Sequence, residues 1–218
     1  MGVTMSMRRR LELLEWAKDG AAILEDDYDS DFHYDPGVIP LHTLDHEQSA
    51  IYVGSFSKSL SPVLRLGFIV APPSPQPAIH IAKQLMDWHT NVPLQGALAE
   101  FLDSGGFARH VRRMRGIYAR RSKAVIRALK EHLHNEVEIL PRTLGLHLCA
   151  LARPTRGLMV EAAARESSAS GVRAQVLSDF SQRPDPPLGL TLGYGMLDEA
   201  KIKQGVQRLA THLPAPTD

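Results

Sequence analysis

Three short apolar runs, Ala21–Leu24, Ile51–Gly54 and Gly67–Ala71, constrain this chain more than any other feature. Each is too short for a buried helix and ends in acids, Gly or Pro, so each reads as a buried strand of a parallel sheet. Helical patterns alternate with them. Met7–Asp19 places Leu11, Leu14 and Ala17 on one face and stops at Gly20. Asp29 to Gln48 is rich in Gly, Pro, Asp and His and reads as a loop. Strands alternating with helices argue for an α/β layer structure. In such sheets ligands bind beyond the carboxyl ends of the strands.

After Pro72–Pro77 the pattern gives helices over Ala78–Asp87 and Leu94–Leu102, then a break at Gly105-Gly106. Phe107, Val111, Met114, Tyr118, Val125, Leu129 and Leu133 then define one long amphipathic helix. Its other face carries Arg109, Arg112, Arg113, Arg115, Arg120, Arg121 and Lys123. No aromatic residue interleaves them, so they read as a solvated face rather than a polyanion site. Strand-like Val137–Leu140, Leu144–Leu151, Val172–Leu177 and Leu188–Leu192 follow, with helices over Leu158–Ser167 and Asp198–Leu209. The expected division is residues 1–104, part of a large domain, and 105–218, a small α+β domain.

Composition narrows the classes. A formal net charge of +1 gives no reason to expect nucleic acid or a membrane surface as a direct partner of these residues. The single cysteine, Cys149, lies in an apolar run, excludes an internal disulfide and reads as a buried small hydrophobe. No apolar run reaches the roughly 18 residues of a membrane span, and the start lacks a signal-peptide core, so the chain reads as cytoplasmic. The histidines are scattered without acids or cysteines to complete a metal set, so no metal is expected.

The chemistry concentrates at the strand ends. Asp26 and Tyr28 follow the first run; Ser55, Ser57 and Lys58 follow the second, with Arg65 just beyond. A lysine, an acid, a phenol, small hydroxyls and an arginine are what pyridoxal 5'-phosphate (PLP) requires. The lysine amine holds the aldehyde and later moves protons. The acid keeps the ring nitrogen protonated so that the ring accepts carbanion electrons. The phenol, here Tyr28, hydrogen-bonds the ring oxygen. Hydroxyls and a planar guanidinium match the phosphate. Each piece alone is ordinary turn or surface chemistry; order and strand context together make the set specific.

Glu25-Asp26-Asp27-Tyr28-Asp29-Ser30-Asp31-Phe32, Tyr52–Pro62 and Leu64-Arg65-Leu66-Gly67 resemble fold-type-I aminotransferases. More narrowly, the chain resembles the aminotransferase-like domain of MocR/GabR-type bacterial transcriptional regulators, a branch favoured by the acid-rich Glu25–Ser30 segment. Phe107–Arg115, Gly145–Leu148 and Leu192-Gly193-Tyr194 are similar to that family too. The resemblance implies the C-terminal part of the large, mainly parallel-sheet domain plus the small domain of the fold. It implies that Lys58 carries PLP and acts as the catalytic residue. Asp26 would meet the ring nitrogen, Tyr28 the ring oxygen, and Ser55 and Arg65 the phosphate. It also implies a homodimer, a small amine or amino-acid effector or substrate, and DNA contact only through a winged-helix domain preceding these residues.

Two departures accompany the resemblance. Met1–Ser6 matches the family in mid-domain, so a C-terminal fragment or truncated gene product is expected, with a sheet edge and an apolar face uncovered. Thr191 stands where the enzymes carry a carboxylate-binding arginine. The leading expectation is therefore an effector-sensing domain. The alternatives are a freestanding PLP-dependent amino-acid aminotransferase and a non-catalytic remnant.

Overall fold

The computed structural model describes residues 5–32, 39–140 and 145–214. They fall into two compact units, Thr4–Arg113 and Met114–Asp218. The division between these compact units lies inside one continuous helix. Gly105 takes the left-handed conformation (φ 68°), whereas Gly106 already begins that helix.

In the first unit, α1 (Met7–Ala17) starts at Ser6, whose hydroxyl accepts the Arg9 N–H at 3.3 Å. Leu14 and Ala17 are buried, but Leu11 is 52% exposed. Arg10 is tucked in instead, its guanidinium donating to the carbonyls of Met5 and Ile39. The stripe expected from Leu11 is therefore displaced by one residue. Leu14 and Ala17 pack with Ile23, Leu41 and Ala50 to form this unit's core.

β1 (Ile23–Asp27) pairs in parallel with β2 (Ala50–Ser55), and β3 (Gly67–Val70) pairs antiparallel with β2. Two expectations are corrected. β1 starts later than the apolar run and carries its acids within the strand. β3 runs against β2 and is exposed along its length, not a buried parallel strand. The connection from Ser55 to Gly67 is shorter than the dozen or so residues a parallel crossover needs, so the chain turns back. The expected loop contains a short helix, α2 (Leu41–Leu44); its residues 33–38 lie outside the described set.

After β3 come α3 (Gln76–Asp87) and α4 (Val92–Asp103), neither of which buries a residue. Asn91 caps α4 by accepting the Leu94 N–H at 3.2 Å. α5 (Gly106–His132) then crosses the boundary between the units.

In the second unit the helical stripe of α5 is as expected: Tyr118, Val125, Leu129 and Leu133 are buried. Its basic face is exposed, except that Arg121 is half-buried and donates to the Gly195 carbonyl. β4 (Val137–Ile139), β5 (His147–Ala152), β6 (Gln175–Val176) and β7 (Gly189–Gly193) form an antiparallel sheet ordered β4-β5-β7-β6. Leu144 of the longer expected strand lies outside the described residues. α6 (Gly157–Ser167) and α7 (Glu199–Thr211) bury Val160, Ala163, Ala164, Ile202, Val206 and Leu209. Glu161, also buried, accepts the N–H groups of Ser178 and Gly189, each at 3.1 Å, and the Ser178 hydroxyl. A buried carboxylate satisfied in this way fixes the approach to β7. Cys149 is buried, its Sγ 3.5 Å from Thr191 Oγ1. Among the described residues, no helix is long and apolar enough to cross a membrane.

Candidate functional site

The parallel pair β1 and β2 brings two carboxyl ends side by side. Asp26 pairs with Val53, and Asp27 with Gly54. Because alternate strand residues face opposite sides, the three acids of β1 divide between the two faces. Glu25 and Asp27 share one face and are committed to the fold. The Glu25 carboxylate accepts the N–H groups of Leu41 and His42 at 2.7 and 3.0 Å, holding the first turn of α2. Asp27 accepts the Tyr52 hydroxyl at 2.7 Å and the Ser30 N–H at 3.0 Å. Asp26 lies on the other face, exposed, and forms no hydrogen bond or ion pair among the described residues. That face is open: Leu24 is 71% and Ile69 52% exposed.

Tyr28 is the residue after β1, and its hydroxyl has no partner among the described residues. Burial pushes its phenol above the ordinary 10.0, helped by the carboxylates of Asp29 and Asp26, so it stays a hydrogen-bond donor at neutral pH.

Ser55 is the last residue of β2, and the lysine turn follows at once. Ser55 Oγ accepts the Ser57 N–H at 3.1 Å, and the Leu60 N–H donates to the Phe56 carbonyl at 2.8 Å. The Phe56 N–H bonds the Leu66 carbonyl at 3.1 Å, tying the turn to the chain entering β3. Lys58 is exposed at the top of this turn, its amine unpaired among the described residues. Ser59 beside it is buried, with no partner for its hydroxyl among the described residues. Arg65 ends the single turn Pro62–Leu64 in the left-handed conformation (φ 53°, ψ 38°), its guanidinium exposed and unpaired among the described residues.

A cavity of about 540 Å³ opens beside this group. Tyr28 and Ser55 line it, together with Asp27, Asp29, Asp31, Tyr52, Phe56, Phe68 and residues of α4. Asp26, Ser57, Lys58 and Arg65 do not line it. The structure thus brings all six expected residues to one end of one sheet, of which two border the cavity. Two neighbours at this end of the sheet carry no local sequence signal. Tyr52 holds Asp27, and His110 Nε2 lies 2.8 Å from the Ser59 carbonyl. Tyr52 was visible only as a strand residue, and His110 only as part of a motif with no assigned role.

The donor set fits PLP on chemistry. One unpaired carboxylate, one protonated phenol, one unpaired amine, one unpaired guanidinium and small hydroxyls stand on adjacent strand ends. Residues 2–164 match the family described as aminotransferase class I and II. The chain belongs to the aminotransferase class I and II family. Among solved structures in this fold, kynurenine aminotransferase from Pyrococcus horikoshii superposes with a TM-score of 0.86 at 30% identity. That match covers 97% of this chain and 52% of the enzyme. LysN, an alpha-aminoadipate aminotransferase from Thermus thermophilus complexed with N-(5'-phosphopyridoxyl)-L-leucine, gives a TM-score of 0.83 at 30% identity. It covers 95% of this chain and 54% of its own. Among curated relatives, the HTH-type transcriptional regulator YhdI of Bacillus subtilis is 38% identical over 97% of this chain and 45% of its own length. The probable rhizopine catabolism regulatory protein MocR of Rhizobium meliloti is 36% identical over 96% and 42% respectively. The chain spans about half the length of the aminotransferase class I and II relatives it matches, or somewhat less.

Proposed function

We propose that this chain is the PLP-binding, effector-sensing part of a MocR/GabR-type transcriptional regulator. The observation that carries the reading is the pair of parallel strand ends, where Asp26, Tyr28 and Lys58 keep their functional groups uncommitted. The identities to YhdI and MocR over nearly the whole chain favour a regulator over a stand-alone enzyme. PLP, when bound, supplies an electron sink conjugated to the carbon bearing the effector's amine.

The chain's own residues divide the remaining work. Lys58 would hold the cofactor covalently through its amine. Asp26 would keep a proton on the ring nitrogen, and Tyr28 would donate to the ring oxygen. Ser55 accepts from the Ser57 N–H, which leaves its own hydroxyl hydrogen for a phosphate oxygen. Ser57 adds a second hydroxyl and Arg65 a planar fork of donors. Thr191 in β7 bears no charge where the enzymes place a carboxylate-binding arginine, which favours sensing over amino-acid turnover. The cofactor-binding part is assigned to residues 1–104, and the small domain to 105–218. A homodimer in the cytoplasm, with DNA bound by a winged-helix domain outside these 218 residues, completes the proposal.

The test is spectroscopic. PLP is added to the purified protein and to Lys58→Ala, and the visible band of lysine-bound cofactor is followed. A lysine-dependent band that shifts with an added amine and yields no keto product is expected. Accumulating keto product selects the aminotransferase instead. No band in either protein overturns the assignment.

A further inference from the structure

Phe107 lines the cavity beside the strand ends, and the first turns of α5 that follow it grip the lysine turn from both sides of Lys58. Phe107 meets Phe56 edge to face, ring centroids 5.7 Å apart at 82°. One helical turn later, His110 Nε2 sits 2.8 Å from the carbonyl oxygen of Ser59, across 51 residues of sequence. Residues three apart on a helix share a face, so the two contacts form one patch of α5. Arg109, between them, turns away and donates to the Ser104 carbonyl at 3.1 Å.

The Ser59 carbonyl needs this partner. Ser59 is only 3% exposed, and its turn belongs to neither helix nor strand, so no ladder serves it. A carbonyl oxygen only accepts, which fixes the hydrogen on His110 Nε2. Ser59 is one peptide unit from Lys58, and the lysine stem has four rotatable bonds. The direction in which that stem leaves the backbone is therefore set by the turn, and the turn by its anchors.

We propose that His110 is a positioning residue for Lys58: its Nε2–H anchors the Ser59 carbonyl and so fixes where the lysine amine is presented. This rests on the reading of Lys58 as the PLP-bearing residue. The geometry gives Phe107 the supporting role of closing the turn on its Phe56 side.

Two readouts on the purified protein test it, one independent of the cofactor. Amide hydrogen exchange at residues 57–60 is compared in wild type, His110→Leu and His110→Gln without PLP; the visible band is then titrated with PLP. His110→Leu is expected to exchange roughly threefold to tenfold faster in the turn, the range for losing one hydrogen bond. It is also expected to need several-fold more PLP for half-maximal band. His110→Gln, which still donates from a side-chain amide, is expected to recover much of both losses. Should His110→Leu not fold, His110→Asn, polar but too short to reach, takes its place with the same expected result. Unchanged exchange in the turn overturns the proposal, as does faster exchange with an unaltered band, or no recovery in folded His110→Gln. Absence of a band in the wild type removes the assignment of Lys58 itself. Exchange then decides by itself whether His110 anchors the turn, and with no lysine-bound cofactor to position, the proposal falls.

Discussion

Tyr52 donates its hydroxyl from β2 to Asp27 Oδ2 on β1 at 2.7 Å, on the sheet face opposite Asp26. Two adjacent aspartates in one strand therefore have different duties. Asp27→Asn exchanges a charge-assisted hydrogen bond for a neutral one and is expected to lower unfolding free energy by about 1 kcal/mol. Asp26→Asn removes a carboxylate without partners and is expected to leave stability within about 0.5 kcal/mol of wild type. The spectra should be reversed: Asp26→Asn alters the band of bound PLP, and Asp27→Asn keeps it. Urea unfolding together with absorbance on both variants checks the division.

The same bond controls how Tyr52 titrates. Burial, then the hydrogen bond to Asp27, pushes its phenol up to about 12 from the ordinary 10.0. A raised folded value means that this stabilisation is fully present below the unfolded value and is lost as pH rises through about 12. An ultraviolet tyrosine titration should therefore contain a phenol ionising near pH 12 that is absent from Tyr52→Phe. The variant should also be less stable at neutral pH by about 1 kcal/mol, and that difference should shrink above pH 10.

Arg65 occupies left-handed backbone, at φ 53°, that a glycine adopts without strain. Nothing among the described residues holds its side chain there. Backbone strain maintained for a solvent-facing guanidinium is a mark of a functional site. Arg65→Gly is expected to unfold at the same temperature or a few degrees higher, yet to need at least tenfold more PLP for half-maximal band. Thermal melts and a PLP titration measured in parallel would show both. Weaker melting with unchanged PLP demand would remove Arg65 from the phosphate site.

The α/β alternation, the long helix α5 and the strand-end placement of Tyr28, Ser55 and Lys58 were legible because periodicity and turn chemistry are local. What was not legible depended on partners distant in sequence. The antiparallel sense of β3 follows from the brevity of the link after Ser55, a matter of chain length that apolar content does not report. Leu11 lost its place in the core to Arg10, whose reach to the Ile39 carbonyl no helical period encodes. The difference between Asp26 and Asp27 needed the register of β1 against β2, because sequence shows three acids in a row without saying which faces which side. His110 was noticed as part of a motif, but its partner lies 51 residues away.

Asp45 organises the entry to β2. Its carboxylate accepts the N–H groups of Glu47 at 3.0 Å, Ser49 at 2.6 Å and Ala50 at 2.7 Å. Burial opposes its ionisation, but these backbone donors outweigh burial and hold its carboxyl below the ordinary 3.8. A lowered folded value gives stability that is complete above the unfolded value and disappears as pH falls through the folded one. Asp45→Ala is expected to lose about 1 kcal/mol near neutrality, comparable to removing a helix cap. It should also show a shallower decline of stability on acidification below pH 4. Equal acid slopes in the two proteins would mean that other carboxylates set the decline.

In the second unit the equivalent anchor is Tyr194, fully buried, whose hydroxyl donates to the Gly145 carbonyl at 2.6 Å. Its own N–H meets the Leu146 carbonyl at 3.1 Å, so one residue closes the start of β5 onto the end of β7. Tyr194→Phe keeps the ring and the packing but leaves the Gly145 carbonyl without that donor. The expected loss is about 1 to 3 kcal/mol, the range for a buried acceptor deprived of its partner. Lys58, the proposed cofactor lysine, lies in the first unit, so the PLP band of the folded variant should match wild type at a temperature where both are fully folded. A lost band in folded Tyr194→Phe would show that this corner supports the cofactor site, and the division of labour between the units would have to be redrawn.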